Sequence, residues 1–420
     1  MLKIVHFTNT FAPMVGGIEK AVARLAADHG EEGHFCRIVT PATRGAEVSG
    51  EGVLRVPAIK NLGEKGFSLR IPAPSQLRHW MEAIEPDLLH AHQPFMLGDT
   101  AWRTARERCR PLVFTHHTLY ERYAHWRFID EGKAAAIMLS LTTQYANRCD
   151  LCIAPTESIR QLMRERGIEK PIEVAPTGID LEPYEQVEAE AFRERFGIPR
   201  EARLLGHLGR ISRAKNMEFL CEVVCRVLAA DPGAWFLLAG EGDALAAALE
   251  TFRKQGVGKR VVSTGNLGGQ EVADAHAAMD LFLFASHTDT QGLVLAEAMA
   301  AGTPVVALDA PGARDCLVPD VTGLLLPAGA APEEMAEGAG RLLGEDARRE
   351  AMREAAIERA AIFERRRCSR RTLGLYQDLV ESHAGHAAPH DSMWEHFLDR
   401  LEAELMLLEE KLTATSKAFW

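Results

Sequence analysis

Residues 281–308 read LFLFASHTDTQGLVLAEAMAAGTPVVAL. Two apolar runs, Leu281–Ala285 and Pro304–Leu308, flank a helical stretch, Leu293–Ala301. A continuous apolar run between helices suits a strand buried on both faces, which is the habit of parallel sheets covered by helices. The same rhythm continues on either side. Leu204–Leu208, Ala234–Ala239, Val261–Ser263 and Gly323–Leu326 are further strand candidates, separated by helical stretches such as Asn216–Ala229 and Gln270–Met279. An earlier series runs Lys3–Thr8, Cys36–Thr40, Leu88–Ala91, Leu112–Thr115, Leu151–Ala154 and Glu173–Pro176, with a helix over Ile18–Asp28. The reading is an α/β protein of two facing, Rossmann-like, doubly wound parallel-sheet domains. The expected division is 1–180 with a returning helix about 366–383, then 181–365, then a helical tail over 387–420. Ligands of such sheets sit outside the carboxyl ends of the strands, and two facing sheets leave a cleft there.

At 420 residues, with 47% hydrophobic and 25% charged side chains, the chain has core enough for two domains and is no disordered polymer. No apolar run reaches the roughly 20 residues that span a bilayer. The opening Met-Leu-Lys-Ile-Val-His-Phe reads as a first core strand, not a signal peptide. Eight scattered cysteines then suit a reducing, cytoplasmic setting. Cys149-x-x-Cys152 lacks the second pair or nearby histidines of a zinc site and reads as buried thiols. The net charge of −11 argues against a nucleic-acid partner. Residues 1–180 carry 22 Lys+Arg against 21 Asp+Glu, or +1, so the rest carries −12 and the first half repels an anionic surface less.

Four loops carry chemistry. The first, after the opening strand, holds Gly16-Gly17 ahead of a helix, where backbone N–H groups can meet an anion. The second is Gly209-Arg210-Ile-Ser-Arg213-Ala-Lys215, a strand-end arginine with a lysine five residues on, suited to phosphate. The chain has no D-x-D pair to hold a bridging metal, so these cations are the substitutes. The third is Asp289-Thr-Gln291-Gly292-Leu293, with Glu297 on the helix that follows. A carboxylate there suits a ribose diol. The fourth, His116-His117-Thr118-Leu-Tyr120-Glu121-Arg-Tyr123, follows the strand Leu112–Thr115.

In order and spacing these loops resemble the glycosyltransferases of family 4, which have the GT-B fold. The agreement includes Gly240-Glu241-Gly242 and the Ala-Gly-Thr-Pro after Glu297, and covers about residues 1–380. His117 to Tyr123 is also similar to the His-Thr-x-Tyr-Glu-x-Tyr stretch of diacylglycerol glucosyltransferases, as are Tyr145–Asp150, Ala154–Thr156 and Pro176–Asp180. The family has two glutamates eight positions apart. Here Asp289, one methylene shorter, stands at the first.

The resemblance implies a retaining, metal-independent hexosyltransferase that needs no cofactor beyond its nucleotide-diphosphate sugar, with UDP-glucose the family expectation. The second domain would hold the donor and the first the acceptor. Arg210 and Lys215 would hold the diphosphate and Glu297 the ribose. Asp289 with the Gln291, Gly292 and Leu293 backbone would hold sugar and phosphate. Gly16, Gly17, Gly209, Gly240, Glu241 and Gly265 would line the donor site, and His117 would touch the transferred sugar. Tyr120, Glu121 and Tyr123 would face the acceptor, diacylglycerol or another lipid, with a soluble or polysaccharide glycan as the alternative. Such enzymes use no protein nucleophile; the leaving phosphate helps deprotonate the acceptor. A lipid acceptor implies peripheral contact with the inner membrane face. Lys60, Lys65, Arg70 and Arg78 interleaved with Phe67, Leu69, Ile71 and Trp80, and the run Arg103, Arg106, Arg108 and Arg110, are candidates for it or simply solvated faces. Two other classes stay open: an isomerising enzyme on the same fold and a non-catalytic nucleotide-sugar-binding assembly protein.

The tail is separate. Trp394, Leu398, Leu401, Leu405, Leu408 and Leu412 form a heptad stripe whose other faces are acidic. It suits docking on its own chain or a homodimer, and an acidic face does not suit an anionic bilayer.

Overall fold

The computed structural model describes residues 1–14, 16–42, 50, 52–56, 74–123 and 131–383. The heptad tail and the Lys60–Ile71 part of the basic stretch lie outside the described residues. The chain forms two compact units, Met1–Pro176 together with the chain from Cys368, and Thr177–Arg367.

The first unit holds strands β1 (Lys3–Phe7), β2 (Phe35–Pro41), β3 (Val53–Val56), β4 (Leu88–Ala91), β5 (Leu112–Thr115), β6 (Leu151–Ala154) and β7 (Ile172–Val174). They make one sheet in the order β3-β2-β1-β4-β5-β6-β7, and every pairing is parallel. The second unit holds β8 (Arg203–Leu208), β9 (Ala234–Ala239), β10 (Val261–Gly265), β11 (Leu281–Phe284), β12 (Val305–Leu308) and β13 (Gly323–Leu326), ordered β10-β9-β8-β11-β12-β13 and again all parallel.

Burial explains the sequence pattern. In β11, Leu281 and Leu283 enter one apolar cluster while Phe282 and Phe284 enter another. Both faces are dry, so successive side chains are all apolar. In the first unit, Leu112 and Phe114 face one cluster and Val113 the other. That second cluster is closed by Leu373 and Tyr376 of the helix Arg365–His383. The sequence shows no strand signal at β3, which has four residues and carries Arg55. An edge strand tolerates that charge: the Arg55 guanidinium donates to the carbonyl oxygen of Ala12 at 2.6 Å. Cys149 and Cys152 are fully buried core thiols, donating to the Tyr145 and Ala146 carbonyls. All eight cysteines are free. Among the described residues no helix is long and apolar enough to cross a membrane.

Each sheet reverses its strand order once, between β1 and β4 and between β8 and β11. Loops leaving two such neighbours diverge, and the gap between them is the natural ligand crevice.

Candidate active site

In the second unit, β8 and β11 bring the second and third sequence loops side by side. The Lys215 ammonium donates to both Asp289 carboxylate oxygens, at 2.6 and 2.7 Å. Each side chain is about one-fifth exposed (21% and 20%), so the pair is shielded yet reachable. Arg210 is exposed and has no hydrogen-bond or ion-pair partner among the described residues. A positive group with no partner among the described residues, on the same loop as a shielded ion-pair lysine, suits an anionic ligand. Beneath them His207 is buried, its Nδ1–H donating to the Leu283 carbonyl at 3.0 Å. Burial lowers its pKa to about 4, and the Lys215 charge adds to the lowering, so the imidazole is neutral.

The glycines set the approach distances. Gly240 has φ +131, and a Cβ there would lie 1.9 Å from the Gly209 carbonyl oxygen. Its N–H donates to the Gly265 carbonyl at 2.8 Å, and the Ile211 N–H donates to that of Glu241 at 2.9 Å. The ends of β8, β9 and β10 are thus laced together by backbone, with the Glu241 side chain exposed. Gly292, at φ +67, is the N-cap of the helix Leu293–Ala300. Glu297 lies on that helix and is half-buried. The Gln291 side chain turns away to a different task. Its Oε1 accepts from the Thr177 N–H at 2.8 Å and its Nε2 donates to the Thr177 carbonyl at 2.7 Å. Both ends of the amide clamp one backbone residue, so only the Gln291 backbone is left for a ligand.

In the first unit, Gly16 caps the helix Gly17–Glu31 without a side-chain cap, and a Cβ at Gly17 would meet nothing within 4 Å. Asn9 ties this loop down: its Nδ2 donates to the Phe95 carbonyl at 2.9 Å and its Oδ1 accepts from the Leu97 N–H at 3.1 Å. His117 is half-buried after β5, its Nε2 facing His92 Nδ1 at 2.9 Å. Burial lowers the His117 pKa to about 4, which makes it a neutral hydrogen-bonding group at ordinary pH.

Tyr120 meets Phe95 edge-on, with ring centroids 5.3 Å apart. Glu121, expected to bind acceptor hydroxyls, is instead engaged by Arg166, with both side chains largely buried. It pins the turn Tyr120–Tyr123, and its readiness for a ligand is reduced accordingly. The Tyr123 side chain lies outside the described residues. Of the basic run after β4, the Arg106 guanidinium sits 5.8 Å above the Trp102 ring, and only Arg110 is fully exposed. The sequence reading missed a row of buried histidines, His6 on β1 with His90 and His92 at and beyond the end of β4. The signal was present as His90-Ala-His92, two same-face positions on an apolar strand.

The family model described as Glycosyltransferase Family 4 matches residues 15–183, and that described as Glycosyl transferases group 1 matches residues 202–345. An alpha-monoglucosyldiacylglycerol synthase of Streptococcus pneumoniae is 28% identical over 321 residues, covering 73% of this chain and 71% of that protein. A GDP-mannose-dependent alpha-mannosyltransferase of Mycobacterium tuberculosis is 27% identical, covering 82% and 89%. HepE of Anabaena, crystallised with UDP and glucose, superposes with a TM-score of 0.72 at 20% identity, covering 90% of this chain and all of that one. The fold is therefore GT-B.

Proposed function

This chain belongs to glycosyltransferase family 4 and takes its sugar from a nucleotide sugar, and from that premise we propose that it is a retaining hexosyltransferase using UDP-glucose and a lipid hydroxyl such as that of diacylglycerol. The supporting observation is that the loops after β8 and β11, neighbours at the point where the strand order reverses, carry Arg210, which has no partner among the described residues, the Lys215–Asp289 pair and the Gly292 helix start. The relatives named for glucosyldiacylglycerol synthesis support the lipid acceptor.

In this reading the diphosphate lies against Arg210, Lys215 and the N–H groups at Gly292 and Leu293. The acceptor oxygen bonds to the sugar C1 on the face from which the diphosphate departs, so the configuration is kept. The C1–O bond to the phosphate breaks, and the acceptor proton passes to a leaving phosphate oxygen. The cations stabilise charge that grows in the transition state, which is where such groups act most. They do so without a metal at the phosphates. Asp289 orients the sugar hydroxyls, and Glu297 holds the ribose. The acceptor would be reached at the inner face of the membrane.

The mannosyltransferase relative makes GDP-mannose the second donor to try. The test is release of nucleoside diphosphate from UDP-glucose or GDP-mannose with diacylglycerol in mixed micelles, followed by the anomeric coupling constant of the product. An inverted product ends the retaining mechanism. Undiminished turnover in both Arg210→Ala and Lys215→Ala ends the phosphate assignment.

A further inference from the structure

Within the first unit, the first βαβ turn of the chain gathers three ligand-type side chains. His6 lies on β1, His29 in the last turn of the helix Gly17–Glu31, and Cys36 on β2. One ring nitrogen of His6, one ring nitrogen of His29 and Cys36 Sγ all lie within 4.8 Å of one another. Both histidines are fully buried, and His6 Nε2 and His29 Nδ1 have no hydrogen-bond partner among the described residues. Buried polar atoms without partners are costly and call for an explanation.

The tautomers sharpen it. His29 Nε2 is 3.0 Å from the Ser369 carbonyl oxygen. A carbonyl only accepts, so Nε2 carries the proton and Nδ1 presents a bare lone pair. His6 Nδ1 faces His92 Nε2 at 3.1 Å, which leaves its own Nε2 as the nitrogen open to a ligand. A ring nitrogen that binds metal while its other nitrogen donates to a carbonyl or another acceptor is the usual arrangement of metal-ligating histidine. The neighbouring trio His6, His90 and His92 does not have this property. Both nitrogens of His90 already face Tyr376 and Thr115, and both of His92 face His6 and His117.

We propose that His6 Nε2, His29 Nδ1 and Cys36 Sγ bind one soft divalent cation of the zinc class, remote in role from the sugar donor. Two imidazoles and a thiolate are a zinc-type set. Tetrahedral zinc holds such ligand atoms roughly 3.3–3.6 Å apart, inside the 4.8 Å within which they lie here. Binding displaces one proton, from the Cys36 thiol to solvent, since the thiolate is the ligand. Burial alone would keep that thiol protonated, with a pKa pushed up to about 12. The metal fixes a direction of hydrogen bonding. With Nε2 of His6 ligated, its Nδ1–H donates to His92, and His92 Nδ1–H then donates to His117 Nε2.

The experiment is elemental analysis of the full chain after exhaustive dialysis, and absorption spectra of protein expressed in cobalt-supplemented medium. One equivalent of zinc and a thiolate-to-cobalt charge-transfer band are expected. The band is the chosen readout because histidines elsewhere cannot produce it. It must disappear in Cys36→Ser and persist in Cys225→Ser. Should Cys36→Ser fail to fold, alkylation mapping of the wild-type chain decides: metal must slow labelling of Cys36 at least tenfold relative to the chelator-treated protein. Zinc below a tenth of an equivalent with no such band, a band that survives Cys36→Ser, or equal labelling rates would each overturn the site and leave a buried water as its occupant.

Discussion

Lys215 has two claimants. Within the chain Asp289 holds it through contacts of 2.6 and 2.7 Å. In the proposed complex a diphosphate competes for the same ammonium. A hydrogen bond to a charged group is worth roughly 1.5–3 kcal/mol, or about 10- to 150-fold in a dissociation constant. Lys215→Met should therefore weaken UDP binding by up to that factor. The loss is smaller if Lys215 gives up Asp289 to reach the phosphate, because one charge-assisted bond then replaces another. Asp289→Asn should act in the opposite direction. It removes the competitor and a negative charge from beside the diphosphate, so UDP should bind equally well or up to tenfold more tightly. Transfer from UDP-glucose should nonetheless fall, since the sugar loses a carboxylate contact. Calorimetry with UDP, alongside initial rates with UDP-glucose, separates the two effects. Should Asp289→Asn weaken UDP as much as Lys215→Met does, the carboxylate is itself part of the diphosphate site. If that weakening needed magnesium, the metal-independent account of the leaving group would go with it.

Other outcomes follow from the same geometry. Arg210 is exposed and without a partner among the described residues, so Arg210→Ala should lower UDP affinity about tenfold or more while leaving the melting temperature within a degree or so; a large melting shift with unchanged affinity would make it structural. Gly240→Ala and Gly17→Ala should divide cleanly. The first places a Cβ 1.9 Å from the Gly209 oxygen at φ +131 and should destabilise the second unit by several kcal/mol, whereas the second meets open space and should fold normally; a Gly17→Ala enzyme with full activity would remove the close-approach role from that glycine. Acid should unfold the protein early. Burial lowers the pKa of His116 and His276 to about 3 and of His117 and His207 to about 4, below the ordinary 6.5. Between those values the unfolded chain binds more protons, so stability falls as pH drops from 6.5, by about 1.4 kcal/mol per pH unit for each such histidine. Urea midpoints at pH 7 and 5 check this, and a flat profile would mean these imidazoles are not held neutral. Activity should show no loss near pH 6.5 traceable to His117.

The strands were legible because burial on both faces erases alternation: LFLF at 281–284 could hardly be anything else once a helix and a second apolar run follow it. β3 was not, because an edge position relaxes the demand for apolar side chains and admits Arg55. The loops that carry Arg210, Lys215 and Asp289 were legible as strand ends, since a glycine or polar break after an apolar run marks the carboxyl edge of a sheet. What those side chains do to one another was not. Lys215 and Asp289 are 74 residues apart in sequence, and only the adjacency of β8 and β11 joins them. The same holds for Glu121 with Arg166, 45 residues on, and for His29 with Ser369, 340 residues on. In each case a residue read as waiting for a ligand or for nothing has a partner within its own unit. That changes the chemistry expected of it, because a side chain already paired contributes to binding only the difference between its two partners. Arg210 has no such partner to give up among the described residues, so its whole interaction with a diphosphate counts toward affinity. It follows that Arg210 should govern how tightly the nucleotide binds, while the Lys215–Asp289 pair, rearranging as charge shifts to the leaving group, should govern how fast the sugar is transferred.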